Sequence, residues 1–243
     1  LGQKLPPIYG REALKLTALQ KRQLVEEGRK PHWRFRLPNS RENSLTPEKT
    51  LIVWQDTVRG EQVIDLASLS DPILIREDGT YLYTLPSVID DIDLKISHIL
   101  RGEDHITNTA VQLAIFDALG AKSPQFGHIN LLVARDGEGL SKRKGALSIR
   151  SLRQEGIAPM AIANLAVLIG SSANVVAYNT MEELAKNFEV TSASRSSAKF
   201  DKDELFRLNT CLLQQKSYTQ IAESLKNCGI EGEKAEAFWE LIK

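Results

Sequence analysis

Cysteine is scarce in this chain: Cys211 and Cys228 are the only two in 243 residues, and no CxxC pair or Cys/His grouping accompanies them. That excludes a disulfide framework and a cysteine-based zinc site, and it is the usage of a reducing compartment. Both thiols are expected to be reduced and to sit in or near the core. No apolar run approaches the ~20 residues that cross a bilayer, and the start "LGQKLPPIYG" lacks a signal-peptide layout. A cytoplasmic location and no membrane partner follow as expectations. A surplus of charge is missing too. Lys+Arg and Asp+Glu stand at 31 each, so any hold on phosphates or nucleic acid must come from local clustering. There is no internal repeat and no low-complexity tract, and the length suits one large or two small domains with a real core.

The clustering is found in "GEGLSKRKGALSIR", Gly137 to Arg150. Lys142, Arg143 and Lys144 stand together, with Gly137, Gly139 and Gly145 around them to let the backbone close onto a ligand. Such a loop suits triphosphate chemistry, where charge builds on oxygens as pyrophosphate departs. The plain alternative is a solvated cationic patch.

The pattern around it reads in three parts. Up to about residue 80, Thr17 and Gln20 form a capping box for a first helix that Gly28 and Pro31 stop. Then "HWRFRL", "TLIVWQD", "EQVIDL" and "PILIRED" alternate with turns at Arg59-Gly60 and Asp78-Gly79, which predicts a small sheet with a helix on it. From Tyr81 to about 150 the units lengthen. A helix over about Thr109 to Leu119, closed by Gly120, leads to "HINLLVA", an apolar run expected as one strand covered on both faces. That is the grammar of a parallel α/β sheet, and the basic loop follows at the strand's carboxyl end, where ligands of open α/β sheets bind. Beyond 155 the pattern is helical, with Pro159, a capping box at Thr180 to Glu183, Asp201 and Gly229 as start and stop signals; "TSASRSSAKF" reads as a polar loop.

The string "GLSKRKG" resembles the second signature loop of class I aminoacyl-tRNA synthetases, in the LSKR form of the glutamyl-tRNA synthetases. "YLYTLPSVIDDIDLKISHILRGEDHITNT" is similar to that family's approach to the amino-acid pocket, and "PQFGHINLLVARDGEGLSKRKGALSI" to its approach to the loop. The resemblance runs over essentially the whole chain. It implies an α/β fold: the second half of a Rossmann-type nucleotide-binding fold (81–150), a small α/β connective, acceptor-binding insertion before it (1–80), and mainly helical stem-contact and anticodon-binding sequence after it (151–243). It also implies an enzyme that activates glutamate with ATP and Mg2+ and transfers it to the 3′ end of a tRNA for glutamate, glutamine or both, with a monomer expected. The family's first signature, an HxGH pattern, occurs nowhere here. The chain thus reads as the interior of a longer protein, inactive alone.

Residue by residue, Lys142 matches the loop lysine implied to bind ATP phosphates and stabilise the activation transition state, with Leu140, Ser141 and Arg143 beside it and Lys144 as a tRNA contact. For Arg143 and Lys144 a solvated role is an equal alternative. Arg101 matches the arginine implied to grip the glutamate carboxylate, which a guanidinium can do in bidentate fashion. Its alternative is an ion pair with Glu103, Asp104 or Asp91. Tyr83 matches the tyrosine implied to line the same pocket, although a lone tyrosine is more often core, and His105 and Asp104 are candidates for its lining. His128 reads as a satisfied core histidine. No metal site is expected, since "VIDDID" and "RGEDH" read as carboxylates near helix starts and turns. Gly139 stands where relatives carry a lysine, and Ser87 where many carry Asn. Two rivals are a glutamyl transferase acting on a modified tRNA base, disfavoured by the helical sequence past 200, and a non-catalytic tRNA-binding module.

Overall fold

The computed structural model describes residues 8–39, 48–133, 148–169, 176–193 and 198–243. The chain divides into two compact units, Leu1–Ile129 and Asn130–Lys243.

In the first unit, α1 (Ala18–Glu26) starts at Thr17, whose hydroxyl accepts from Gln20 N while the Gln20 side chain accepts from Thr17 N. Gly28, at φ 82°, ends the helix in a conformation a Cβ would resist. No α1 residue is buried. The four strands expected before residue 80 form two antiparallel ribbons and not one sheet: β1 (Trp33–Arg34) pairs with β4 (Ile73–Ile75), and β2 (Leu51–Asp56) with β3 (Gly60–Asp65). Along β2 the alternation turns Ile52, Trp54 and Asp56 inward. α2 (Thr84–Asp93) then leads to β5 (His98–Gly102), and one 3-10 turn later to α3 (Ile106–Ala118), three residues longer at its start than the sequence suggested. Gly120, at φ 64°, releases the chain into β6 (Gln125–Ile129), which runs parallel to β5 from His98↔Gln125 to Gly102↔Ile129. The strand–helix–strand crossover read from the sequence is therefore present.

Leu37 and Leu66, both from before residue 80, and Val88, Ile115, Phe116 and Phe126, from after it, share one core. Each such side chain contributes about 1.5–3 kcal/mol by leaving water. The β2–β3 turn docks on β6: Thr57 N–H donates to Phe126 O at 2.8 Å, and Arg59 Nε to His128 O at 3.2 Å. Gly127 makes that approach possible, since a Cβ there would lie 2.3 Å from Thr57 Oγ1 and 2.5 Å from Leu100 Cδ2. A second polar anchor is buried: Arg11 meets both carboxylate oxygens of Asp71 at 2.6 Å and also donates to Leu37 O and Asn39 Oδ1.

In the second unit, β7 (Leu132–Val133) pairs in parallel with β8 (Ala198–Lys199). The apolar run expected as one strand is thus divided, its first part in β6 and its second in β7, and part of the expected polar loop is strand. Helices α4 (Ile149–Gln154), α5 (Pro159–Leu168), α6 (Met181–Lys186), α7 (Lys202–Gln214), α8 (Tyr218–Asn227) and α9 (Ala235–Ile242) make up most of the rest. Thr180 caps α6 through Glu183 N, but the Glu183 carboxylate turns to Asn179 N, so the box is half formed. Leu152, Ala161 and Leu165 pack with Leu205, Leu208 and Leu212, while buried Asn209 accepts from Ala158 N at the start of α5. Cys211 and Cys228 are free but exposed, against the expected burial: Cys211 lies off the face of α7 that buries Leu205, Leu208 and Leu212, and Cys228 is the residue that ends α8.

Candidate functional site

Arg101 is the last residue but one of β5, on the side where α3 begins. Its guanidinium is held on three edges. Nη2 donates to Thr109 Oγ1 at 2.5 Å and to Gln112 Oε1 at 2.7 Å, both on the first turns of α3. Nε donates to His128 Nε2 of β6 at 3.4 Å, and the plane lies 5.1 Å from the Phe126 ring centroid. Nη1 donates to the Tyr83 hydroxyl at 3.1 Å. Every one of these partners is neutral, and Arg101 has no ion pair among the described residues. The carboxylates offered by the sequence go elsewhere: Glu103 pairs with Arg59, and Asp104 lies 3.8 Å from His105. Asp91 feels the Arg101 charge, but burial, with Asp90 adding to it, holds the Asp91 pKa above the ordinary range.

Tyr83 precedes α2 and is 52 % exposed, so its hydroxyl, having accepted from Arg101, keeps a proton to give. His105 caps α3, with its ring edge-on to Tyr83 at 5.8 Å and Nδ1 3.2 Å from Asn108 Nδ2. Tyr83, Arg101 and His105 are therefore brought together. Leu140, Ser141, Lys142, Arg143 and Lys144 lie outside the described residues. Ser87 on α2 reaches the cluster indirectly: its Oγ accepts from Gln112 Nε2 at 2.7 Å, which fixes the Gln112 amide with Oε1 toward Arg101.

His128 is fully buried, as the sequence led one to expect, and the company it keeps was not foreseen. Its Nδ1 lies 2.5 Å from Asp56 Oδ2 and its Nε2 2.8 Å from Thr109 Oγ1. Burial works against the Asp56 charge, but the His128 N–H and the backbone N–H groups of Arg59, His128 and Val58 outweigh it, so the carboxyl stays below its ordinary pKa. Burial is also the largest influence on His128, lowering its pKa; Arg101 and Arg59 act the same way against the Asp56 contact. The pair is thus a carboxylate beside a neutral imidazole. A signal for Asp56 existed in the sequence: it occupies the inward face of a strand whose other inward positions are Ile52 and Trp54. Thr109 and Gln112 likewise sit three apart on an otherwise apolar helix face.

The arrangement can hold an anion. Beyond their mutual bond, Arg101 Nη1 has a second hydrogen and the exposed Tyr83 hydroxyl its own proton to give a ligand, and no carboxylate is in ion-pair contact with the guanidinium among the described residues. Away from this cluster, a groove of about 640 Å3 runs between α1 and β1. It is lined by Trp33, itself 64 % exposed, and by Lys21, Arg29, Lys30, Arg34 and Arg36. Among the described residues no group of His, Cys, Asp or Glu could hold a metal ion, and no helix is long and apolar enough to cross a membrane.

A parallel strand–helix–strand crossover with an arginine near its strand end that no carboxylate touches among the described residues is the architecture of an α/β ligand-binding domain. Comparison with known proteins is more specific. The model of tRNA synthetases class I (E and Q), catalytic domain, matches residues 2–207, and the chain belongs to this family. It is 59 % identical over 243 residues to glutamate–tRNA ligase 1 of Chelativorans sp., covering all of this chain and 53 % of that protein. To glutamate–tRNA ligase 2 of Mesorhizobium japonicum it is 57 % identical over 239 residues, covering 98 % and 52 %. The structure of a glutamate tRNA ligase from Elizabethkingia meningosepticum, in complex with its amino acid, superposes with a TM-score of 0.79 at 25 % identity, over 97 % of this chain and 52 % of that one. The chain spans about half the length of the curated relatives it matches.

Proposed function

We propose that the chain supplies the amino-acid pocket and the signature loop of a glutamate–tRNA ligase. The observation that carries this reading is Arg101: a guanidinium held by four neutral partners, with one N–H edge beside a phenolic proton. A carboxylate is the ligand that uses both donors and the charge, and the likeness to glutamate–tRNA ligases supplies its identity. The grip differs in detail from a simple fork. The Nη2 and Nε hydrogens are taken up inside the protein, so the side-chain carboxylate of L-glutamate accepts one bond from Arg101 Nη1 and one from Tyr83, with His105 walling the pocket.

In this reading, residues 1–80 belong to the acceptor-binding insertion, 81–150 to the second half of the nucleotide-binding fold, and 151–243 to stem-contact and further helical sequence. The glutamate α-carboxylate attacks the α-phosphate of Mg-ATP, forming glutamyl-adenylate and releasing pyrophosphate. The terminal ribose hydroxyl of tRNA then takes the glutamyl group and AMP leaves. Lys142, aided by Leu140, Ser141 and Arg143, neutralises the departing pyrophosphate, and Lys144 contacts tRNA. The exposed Trp33, with Lys21, Arg29, Lys30, Arg34 and Arg36 along the same groove, offers a stacking and phosphate surface suited to the same nucleic acid. The protein works as a soluble cytoplasmic monomer.

The test is glutamate-dependent ATP–pyrophosphate exchange by the full-length gene product with tRNA present. Arg101→Lys is expected to raise the KM for glutamate at least about tenfold, since an ammonium cannot meet four partners and the ligand at once, with the KM for ATP little changed. Equal exchange with glutamine, or an unaltered KM for glutamate in the variant, overturns the reading.

A further inference from the structure

We infer that Asp56 and His128 are positioning residues for the amino-acid pocket: Asp56 fixes the tautomer of His128, whose bare Nε2 orders Thr109 and Arg101 so that the guanidinium presents its free edge to the ligand. The inference rests on the pocket reading above and extends it to a residue of the β2–β3 hairpin, well before the pocket in sequence.

The donor inventory leads there. Asp56 Oδ1 accepts backbone N–H bonds from Val58, Arg59 and His128 at 2.9–3.1 Å, leaving Oδ2 for the imidazole at 2.5 Å. A carboxylate cannot donate, so Nδ1 carries the ring proton and Nε2 is bare. Two donors converge on that lone pair. The Thr109 hydroxyl, at 2.8 Å, is the closer, and Arg101 Nε–H, at 3.4 Å, the more distant. With its proton spent on His128, Thr109 Oγ1 is an acceptor for Arg101 Nη2 at 2.5 Å. The chain of bonds therefore runs Arg101 to Thr109 to His128 to Asp56, each donor meeting an acceptor. Both Asp56 and His128 are fully buried and touch no solvent, so they act on a ligand through their neighbours, of which Arg101 and Thr109 are hydrogen-bonded to the imidazole.

Asp56→Asn reverses this order while keeping the shape. The carbonyl oxygen of the new side-chain amide takes the three backbone N–H groups, its NH2 faces Nδ1, and the imidazole must move its proton to Nε2. There an N–H confronts the Arg101 Nε–H, and the Thr109 hydroxyl turns to His105 O, 3.2 Å away. Selective 15N labelling of histidine in the 243-residue chain is expected to show His128 protonated on Nδ1 in the wild type and on Nε2 in the variant. In the full-length gene product the same substitution is expected to raise the KM for glutamate about tenfold, the effect of leaving a buried donor without its acceptor, with the KM for ATP unchanged. A merely structural role would move both constants or neither.

Wild-type His128 protonated on Nε2 overturns the proposal, as does a flipped tautomer with an unaltered KM for glutamate. Should Asp56→Asn fail to fold, Thr109→Val removes the bridging hydroxyl. It is expected to raise the same KM severalfold without changing the His128 tautomer, and an unchanged KM refutes the relay. Wild-type exchange that shows no dependence on glutamate overturns the pocket reading and this proposal together, whereas glutamate-dependent exchange with indifferent variants overturns the proposal alone.

Discussion

Gly127→Ala tests whether the docking of the β2–β3 turn on β6 is built on the absence of a side chain. A Cβ at this position would stand 2.3 Å from Thr57 Oγ1 and 2.5 Å from Leu100 Cδ2, with Val58 Cγ2 at 3.3 Å. Both contacts under 3.0 Å are with side chains: Leu100 can swing its exposed tip aside, but Thr57 Oγ1 sits in the turn whose N–H is bonded to Phe126 O, so relief there moves the turn. Overpacking of this kind costs about 1–3 kcal/mol. If the turn lifts to relieve it, the Thr57 N–H to Phe126 O bond at 2.8 Å weakens as well, at about 1 kcal/mol. Together about 2–4 kcal/mol is at stake. Amide hydrogen exchange reads the two units separately, so the opening of α3 and the β2–β3 ladder should become about 30- to 700-fold more favourable, at tenfold per about 1.4 kcal/mol. Amides of α7, in the second unit, should not change. Acceleration of less than about threefold in the first unit would show that the Cβ is accommodated and that the glycine has another purpose. Equal acceleration in both units would show that the effect is not the local one described.

Asp71→Ala strips the buried Arg11 guanidinium of its carboxylate while Leu37 O and Asn39 Oδ1 remain; a loss of about 3–5 kcal/mol is expected, read by the same exchange experiment as faster opening of the first unit. Acid should weaken this unit early, because His128 is held neutral below its ordinary 6.5. The unfolded chain takes up that proton first, so the stability is whole above pH 6.5 and falls as pH drops toward the folded pKa, by at most about 1.4 kcal/mol per pH unit. Asp56, lowered from 3.8, adds a second loss as pH falls below that value. The groups facing His128 are Asp56, Arg59 and Arg101. His128→Gln should flatten the limb that begins near pH 6.5 and spare the one below 3.8; an unchanged profile would mean that His128 is not the group titrating.

How far the sequence carried depended on whether a feature is local. Thr17 with Gln20, Gly28, Pro159 and Asp201 mark helix ends through contacts within one turn, and the structure has them where those residues stand. Tyr83, Arg101 and His105 were legible through their motif, and the fold brings them together. Pairings at a distance were not legible. Nothing within "TSASRSSAKF" says that Ala198 and Lys199 will find Leu132 and Val133, and nothing within the four early strands says that they will form two ribbons and not one sheet. The same holds inside the site. Asp56 and His128 are 72 residues apart, and each alone looks like an ordinary turn carboxylate or core imidazole. Only the inward phase of Asp56 on β2 sets it apart, as a charge on a face that otherwise buries Ile52 and Trp54.

Ser87 and Asp56 together explain how an arginine can be fixed in place without being neutralised. A carboxylate in direct contact would orient Arg101 well, but at about 4 Å and an effective dielectric of about 20 it would also bind the guanidinium by about 4 kcal/mol, and an incoming anion would have to compete with it. Here the oxygen atoms that touch Arg101 belong to Thr109, Gln112 and Tyr83, none of them charged. What makes them acceptors is decided one step further out. Ser87 holds the Gln112 amide so that its carbonyl faces the guanidinium, and Asp56 keeps His128 Nε2 bare, so that it accepts from the Thr109 hydroxyl and from Arg101 Nε–H. Ser87 can do this because a hydroxyl oxygen accepts from an amide N–H. The negative charge that organises the site is thus set back behind an imidazole, close enough to fix the direction of every bond and far enough to leave the arginine's charge for a ligand.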